Sequence, residues 1–228
     1  MVINVHAGHN PDGKVACGAV GYIKESTEAR RVKDEVIRML RKMGHTVYDC
    51  TVDDGTSASD VLKKIVAKCN DHEVNLDVSI HFNAAGNLPE DGKTTGTEVL
   101  LYSGYSKAGD YAVAVSEAIE SLGFKNRGIK FRSDLYFLKK TKAPAMLIEC
   151  CFVNDKDDTK LYDHYKMAKA IVKGIAGTEY VEEEYEEVVE TPNKDDEKLY
   201  HLALKRSDAE KIKETLRELG VDAIIVER

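Results

Sequence analysis

The sequence predicts an α/β fold: a mostly parallel central sheet with helices on both faces, followed by a small C-terminal βαβ unit. Three observations lead to this fold class. Short apolar segments alternate along the chain with longer segments whose apolar residues recur every three or four positions. In Leu76–Asn83, Val78 and Ile80 alternate with Ser79 and His81, the period of a strand. After an acidic stretch, the last thirty or so residues repeat the order strand, helix, strand.

The elements of the main domain follow one another with short connections. Apolar runs predict strands at Val2–His6, His45–Cys50, Leu76–Asn83, Gly96–Tyr102, Leu135–Leu138 and Pro144–Glu149. Amphipathic stretches predict helices at Glu25–Met43, from Ser57 onward, at Ala108–Leu122 and at Thr159–Ile175. Asn87–Thr95 is predicted to be a polar loop beside the functional site, and Lys125–Arg132 a basic loop. Alternation of this kind is typical of a sheet covered on both faces.

The formal charge of −7 is concentrated in one segment. Glu179–Glu197 holds ten acidic residues and one lysine, which leaves a net charge of +2 for the rest of the chain. The segment has no apolar period, so it is predicted to be an extended, solvated linker. The predicted domains are therefore a main domain at 1–178, the linker at 179–197 and a small domain at 198–228.

The small domain is predicted from two strands and one capped helix. Leu199–Leu204 and Val221–Val226 are the strands, and Ser207 with Glu210 forms a capping box between them. A single βαβ unit of this size buries too little apolar surface to be stable alone. We therefore expect it to pair with a second copy in a homodimer, or to dock on another surface.

Composition excludes several classes of protein. No apolar run approaches the ~20 residues that a membrane span requires. No basic stripe with interleaved aromatic residues is present, so we expect no nucleic-acid partner. Met1–His6 lacks the basic start of a signal peptide, which predicts synthesis in the cytoplasm. The five cysteines are expected to be reduced thiols.

The chemistry-bearing residues lie where the predicted strands and helices begin or end. His9 follows the first strand, His81 ends the third, and Glu25 starts the first helix. Two imidazoles and a carboxylate are common ligands of catalytic zinc, which also keeps one position for water. Glu149, at the end of an apolar strand, is predicted to be the general base that such a site needs. Glu28 and Cys17 remain alternatives to Glu25 as the third ligand.

Four segments in order carry a family resemblance. Val5–His9 resembles the opening zinc-histidine motif of the zinc-dependent N-acetylmuramoyl-L-alanine amidases of type 3, found in phage endolysins and bacterial autolysins, although Ala7 and Asn10 differ from it. Gly18–Glu25 is similar to the segment with the glutamate ligand, and Ser79–Ala84 to the second histidine motif. Pro144–Glu149 is similar to the motif with the catalytic glutamate. The resemblance extends from Val2 to about Ile175.

The resemblance implies a peptidoglycan hydrolase that cuts the amide between N-acetylmuramic acid and L-alanine. One Zn²⁺ would be bound by His9, Glu25 and His81, and Glu149 would be the catalytic base and acid. Asn83, Arg127 and Leu138 match substrate-side positions. The C-terminal unit resembles half of a SPOR-type wall-binding repeat. The family implies action on the bacterial wall after release from the cytoplasm, as in a phage endolysin.

Two other functions remain open on the sequence. A zinc peptidase of related architecture would cut within the stem peptides of the wall. A non-catalytic wall-binding protein would bind the wall without lysing it.

Overall fold

The structure is a computed structural model of the 228-residue chain. It describes residues 1–86, 88 and 90–182, and beyond them the backbone of three short strands. The chain divides into two compact units, Met1–Tyr180 and Val181–Arg228. Among the described residues, no helix has both the length and the apolar character needed to cross a membrane.

The first unit is built on one six-stranded sheet. Its strands are β1 (Val2–Ala7), β2 (Thr46–Asp49), β3 (Leu76–Asn83), β4 (Thr97–Leu101), β5 (Asn126–Phe131) and β6 (Ala145–Phe152). The helices are α1 (Glu25–Lys42), α2 (Ala58–Asn70), α3 (Gly109–Glu120), α4 (Tyr136–Lys140), α5 (Lys156–Leu161) and α6 (His164–Ala176). The strand order is β2-β1-β3-β6-β4-β5. β2, β1, β3 and β6 are parallel, whereas β4 runs antiparallel to β6 and parallel to β5.

Two hydrophobic clusters cover the two faces of the sheet. The larger contains residues of α1, α3 and α6, including Val36, Ile119 and Ile171, packed on Val5 and Ile80 of the strands. The smaller contains residues of α2 and α4 packed on Leu147 and Leu100 of the opposite face. Successive side chains of a strand point to opposite faces, so β4 and β6 contribute residues to both clusters, whereas β1 and β3 contribute only to the larger one. The predicted mostly parallel sheet with helices on both faces is confirmed.

Two predicted elements around β5 were wrong. The predicted basic loop at Lys125–Arg132 contains β5, which is an edge strand and therefore keeps a polar, half-exposed sequence. The predicted strand at Leu135–Leu138 is instead the start of the one-turn-long α4, in which Phe137 and Leu138 are buried. A short apolar run does not distinguish a strand from a buried helical turn.

The predicted final helix is two helices. α5 ends at Leu161 and α6 begins at His164, and the side chain of Asp163 between them accepts a hydrogen bond from the backbone N–H of Lys166 at 2.8 Å. Asp163 is thus the N-cap of α6. The cap was not recognised because the apolar spacing continues across it.

The second unit contains a three-stranded antiparallel sheet. Its strands are β7 (Tyr185–Glu190), β8 (His201–Lys205) and β9 (Ala223–Val226), in the order β8-β7-β9. β7 falls inside the segment predicted as a linker, because its acidic residues masked the strand-forming Tyr185, Val188 and Val189. β7 thus joins the two predicted strands into one sheet, and the expected pairing with a second copy or another surface stays a prediction. The predicted helix with the capping box lies outside the described residues, and the domain boundaries stay predictions.

Candidate metal centre and active site

His9 lies in the loop that follows β1, in a strained backbone conformation. Its φ angle is +63°, a region that residues other than glycine rarely adopt. The next residue, Asn10, is fully buried and holds the loop in place: its side-chain N–H groups donate to the carbonyls of Val15 and Gly55, both at 2.7 Å. Strain that is held by such surrounding bonds is common at functional sites.

His81 stands on β3, directly against the backbone of the loop. Gly8 is the point of contact, because a Cβ atom at this position would lie 2.0 Å from Cε1 of His81. Gly18 makes the same close approach possible for His9 and Glu25, because a Cβ at Gly18 would lie 2.6 Å from Oε2 of Glu25 and 2.9 Å from the His9 ring. The two glycines therefore let three polar side chains converge.

We expect Gly8→Ala to lower zinc affinity at least about tenfold, since the added methyl group displaces the His81 ring and partners that orient a ligand are worth 10–100-fold. Zinc titration by calorimetry measures the change. Gly109→Ala is the matched control, because a Cβ at Gly109 meets no atom within 4 Å. Equal affinities of the two variants would contradict this account of Gly8.

Glu25 is the first residue of α1 and joins the two histidines. Its Oε1 lies 2.9 Å from Nδ1 of His81 and 3.2 Å from Nε2 of His9, while its Oε2 accepts a hydrogen bond from the backbone N–H of Ala19 at 2.7 Å. Burial opposes ionisation of this carboxyl, but the hydrogen bonds from His81 and His9 outweigh it and hold its pKa below its usual range. Glu25 is therefore a buried carboxylate.

The structure selects among the alternatives for the third member of the cluster. Within the described residues, ligand atoms of His9, Glu25 and His81 all lie within 4.8 Å of one another, and neither Cys17 nor Glu28 belongs to this group. The carboxylate of Glu28 faces elsewhere, since it accepts hydrogen bonds from Tyr162 Oη at 3.1 Å and Arg31 Nη1 at 3.2 Å. The geometry thus brings Glu25, and not Glu28, to the two histidines.

Glu149 lies beside this cluster on β6, where it pairs with His81 across the parallel ladder. Its Oε2 atom is buried and has no hydrogen-bond partner among the described residues. Burial, together with the charges of Glu25 and Glu98, raises the pKa of Glu149 to about 8, and the charge of Arg132 acts in the opposite direction. A carboxyl in this setting can take up and release a proton near neutral pH.

The raised pKa gives a testable dependence of stability on pH. In the unfolded chain Glu149 ionises near its usual pKa of about 4.3, whereas in the folded, metal-free protein it keeps its proton up to about pH 8. Its contribution is thus fully present below about pH 4 and is lost as pH rises to 8. We expect the melting temperature of metal-free Glu149→Gln to exceed that of wild type by a margin that grows between pH 5 and 8. A constant margin would contradict the raised pKa.

Glu98 is a site residue that the sequence reasoning missed. It lies on β4 opposite Glu149, accepts a hydrogen bond from Asn83 Nδ2 at 3.0 Å and pairs with Arg127 Nε at 2.8 Å. It thereby brings together two of the predicted substrate-side residues. The available signal was that Glu98 is a lone acidic residue directly before the apolar run Val99–Leu101.

Leu138, the third predicted substrate-side residue, is placed elsewhere. It is buried in the smaller hydrophobic cluster, whereas its neighbours Tyr136 and Phe137 line the cavity that opens at His9, His81 and Glu149. The turn of α4 points adjacent side chains in different directions, which a predicted strand did not anticipate. Arg132, also missed, lines the same cavity and is held by a bidentate pair with Asp134 at 2.9 and 2.8 Å.

Comparison with known proteins identifies the family to which this arrangement belongs. Residues 3–178 match the family described as N-acetylmuramoyl-L-alanine amidase, so the match covers the whole first unit apart from its ends. This chain belongs to the N-acetylmuramoyl-L-alanine amidase family. All four residues of the proposed site, His9, Glu25, His81 and Glu149, lie inside the matched region.

Individual relatives are similar to most of this chain. An uncharacterized protein of Clostridium perfringens is 37% identical over 163 residues, which are 71% of this chain and 47% of the relative. The endolysin of Bacillus phage SPP1 is 31% identical over 183 residues, which are 75% of this chain and 61% of that endolysin. The chain therefore spans about half the length of the first relative.

Among solved structures, the catalytic domain of the CD27L endolysin, which targets Clostridia difficile, has the same fold. It superposes with a TM-score of 0.70 at 27% identity and covers 78% of this chain and 98% of that domain. The first unit is thus similar to an entire catalytic domain of an endolysin.

Proposed function

We propose that the chain is a zinc-dependent peptidoglycan hydrolase that cuts the amide bond between N-acetylmuramic acid and L-alanine. Membership of the amidase family supports the reaction class. One observation carries the assignment to these residues: Glu149 lines a cavity that also reaches His9 and His81, and its buried Oε2 has no hydrogen-bond partner in the part of the chain that the structure describes. Leaving a carboxyl oxygen buried without a partner is costly, which supports a chemical use for it.

The residues present fit a zinc ion. Two imidazoles and one carboxylate with ligand atoms within 4.8 Å of one another form a three-residue set of the kind that holds catalytic zinc and leaves a position for water. His9 Nε2 and His81 Nδ1 already face one carboxylate oxygen of Glu25, so the three groups converge on one point. A bound Zn²⁺ would polarise the substrate carbonyl and lower the pKa of its water to roughly 7.

Glu149 moves the proton in this proposal. Its Oε2 accepts a proton from the attacking water as the new C–O bond forms at the lactyl carbonyl. The same oxygen then donates that proton to the nitrogen of L-alanine as the C–N bond breaks. The products are the lactyl carboxylic acid of the sugar, which retains the second proton of the water and releases it to solvent at neutral pH, and a stem peptide with a free amino end. Glu149 must be ionised at the start of this cycle. A bound Zn²⁺ would favour its ionised form, as the charge of Arg132 does.

Asn83 and Arg127 are proposed to border the substrate. Both are half-buried and are held by the same carboxylate, Glu98, at 3.0 and 2.8 Å. The guanidinium of Arg127 also lies 5.0 Å from the centre of the Phe152 ring, which fixes its orientation. Such supported side chains can bind a polar substrate with little loss of conformational freedom.

The wall is the proposed place of action. The similarity to the endolysin of Bacillus phage SPP1 supports synthesis in the cytoplasm followed by release onto the bacterial wall. The second unit is proposed to bind the wall, as its resemblance to half of a SPOR-type repeat implies.

Digestion of purified cell walls tests the function. We expect the zinc-loaded protein to lower wall turbidity and to release intact stem peptides that begin with a free L-alanine, as identified by mass spectrometry. Chelation of zinc should stop the reaction, and added Zn²⁺ should restore it. New termini inside the stem peptide would instead indicate a peptidase. Sedimentation with walls without any fall in turbidity would indicate a binding protein.

A further inference from the structure

A cavity of about 300 Å³ extends from His9 and His81 across the face of the sheet that α2 and α4 cover. The strand register defines two rows of side chains along it. The first row contains His81, Glu149 and Glu98, which are paired across β3, β6 and β4. The second row contains His6, Ser79, Leu147 and Leu100. It lies two residues before the first row on β3 and β6 and two residues after it on the antiparallel β4, and His6 of β1 pairs with Ser79. The rows are separated by about 7 Å, the rise of two strand residues.

The second row contains two polar atoms that the proposed reaction does not use. His6 and Ser79 are 1% and 0% exposed, and both line the cavity. Nε2 of His6 and Oγ of Ser79 have no hydrogen-bond partner among the described residues. The two residues pair directly between β1 and β3, so their side chains stand next to each other on one face. Buried polar groups are normally satisfied, which points to a ligand for this pair.

The chemistry of the pair defines that ligand. Nδ1 of His6 lies 3.1 Å from the carbonyl oxygen of Ala7, and because a carbonyl only accepts, Nδ1 carries the proton. Nε2 therefore offers a lone pair, and burial, which lowers the pKa of His6 to about 3, keeps the ring neutral. The hydroxyl of Ser79 can donate. An acceptor beside a donor matches one amide group, whose N–H bonds to His6 and whose C=O accepts from Ser79.

The surrounding wall favours an uncharged ligand. Next to the pair the cavity is lined by apolar side chains, among them Ile65, Leu147 and Phe137. The Phe137 ring meets the His6 ring edge-on at 4.7 Å between centroids and fixes its orientation. A carboxylate would lose its hydration here and would face the lone pair of Nε2. An amide avoids both costs.

We propose that this cavity is the subsite that recognises an amide group of the substrate about 7 Å from the scissile bond, with His6 as acceptor and Ser79 as donor. The proposal rests on the proposed wall-hydrolase function for the identity of the substrate. Two amides of a muramoyl peptide can reach that far: the acetamido group of the sugar, and an α-carboxamide on the second residue of the stem. They share one chemistry and come from opposite sides of the cut bond.

Binding measured without turnover tests the subsite and separates the two sources. The probes are N-acetylmuramic acid and L-alanyl-D-isoglutamine, each compared with a counterpart that lacks the amide: 3-O-lactyl-glucose and L-alanyl-D-glutamate. Calorimetric titrations use the full, zinc-loaded chain as wild type, Ser79→Ala and His6→Phe. Ser116→Ala is the matched control, since its buried hydroxyl donates to the carbonyl of Val113 at 2.9 Å on α3, which covers the other face of the sheet.

We expect one amide-bearing probe to bind more tightly than its counterpart, and Ser79→Ala to weaken that probe alone by roughly two- to tenfold, the worth of one neutral hydrogen bond. His6→Phe should remove the preference for the amide. An effect on N-acetylmuramic acid assigns the cavity to the sugar side, and an effect on the dipeptide assigns it to the stem side. If His6→Phe does not fold, Ser79→Ala still tests the subsite, because the removal of one hydroxyl group should leave the fold intact.

Two outcomes would overturn the subsite. In one, neither amide-bearing probe binds better than its counterpart. In the other, Ser79→Ala changes binding no more than Ser116→Ala does, which would mean that the hydroxyl of Ser79 does not bind the amide. Amide-selective binding without any wall digestion by the same zinc-loaded protein would refute the hydrolase and leave the subsite standing.

Discussion

Glu149→Gln is expected to lower the rate of wall lysis about 10²- to 10⁴-fold while zinc stays bound, the range by which general acid–base groups contribute. Glutamine keeps the shape of the glutamate and its buried setting, but it cannot accept and return a proton. Because Glu149 lies outside the group of three converging ligand atoms, the substitution leaves that group intact. Turbidity decay of purified walls measures lysis, and atomic absorption on the same samples measures zinc.

Glu120→Gln is the control for this variant. Glu120 is an exposed acid at the end of α3, where it accepts a hydrogen bond from Asn126 at 3.2 Å, and its loss should leave lysis unchanged. If Glu149→Gln lyses walls at a near wild-type rate, Glu149 is structural. If it loses zinc as well, Glu149 supports the metal cluster, and its part in proton transfer is not supported.

Glu25→Gln is expected to weaken zinc binding more than about a hundredfold, because it removes the charged ligand of the cluster, and even partners that only orient a ligand are worth 10–100-fold. Lysis should fall with zinc occupancy and should recover in part at high Zn²⁺ concentration. A zinc titration followed by calorimetry measures the first effect, and wall turbidity at graded zinc concentrations measures the second.

Glu28→Gln provides a sharp comparison, since it lies one helical turn away on the same helix and is nearly as buried as Glu25, at 8% against 4% exposed. Its carboxylate contacts Tyr162 and Arg31 and stays clear of the histidines. We expect Glu28→Gln to bind zinc as wild type does, with at most a change in thermal stability. The reverse result, with zinc lost in Glu28→Gln and kept in Glu25→Gln, would show that the cluster is assigned to the wrong glutamate.

Most of the sheet could be predicted from the sequence because its central strands are buried and each carries a row of apolar side chains on at least one face. β1, β3 and β6 are covered by helices on each side, so their apolar runs stand out against the polar connections. β5 did not stand out, since an edge strand needs apolar residues on little of its surface. β7 was hidden for a related reason: half of its six residues are acidic, and it lies in a strongly acidic segment.

The candidate site was predicted where a residue type stands at the end of a regular element. His9 follows β1, and His81 and Glu149 lie in the carboxyl-terminal halves of β3 and β6, and in a parallel sheet these parts of the strands meet at one edge. Leu138 was expected on a strand, whereas the helical turn α4 buries it in the smaller hydrophobic cluster, and its neighbours Tyr136 and Phe137 line the cavity.

By itself, the sequence determined the elements that carry the chemistry and the family to which they belong, since both depend on local apolar patterns and short motifs. Only the tertiary structure decided which side chains meet. It chose Glu25 over Glu28, brought Glu98 to Asn83 and Arg127, and placed His6 beside Ser79 in the cavity behind the cluster. These contacts join residues that are far apart in the chain, and strand register and helix rotation fix them. Local sequence patterns specify neither the strand register nor the rotation of a helix about its axis.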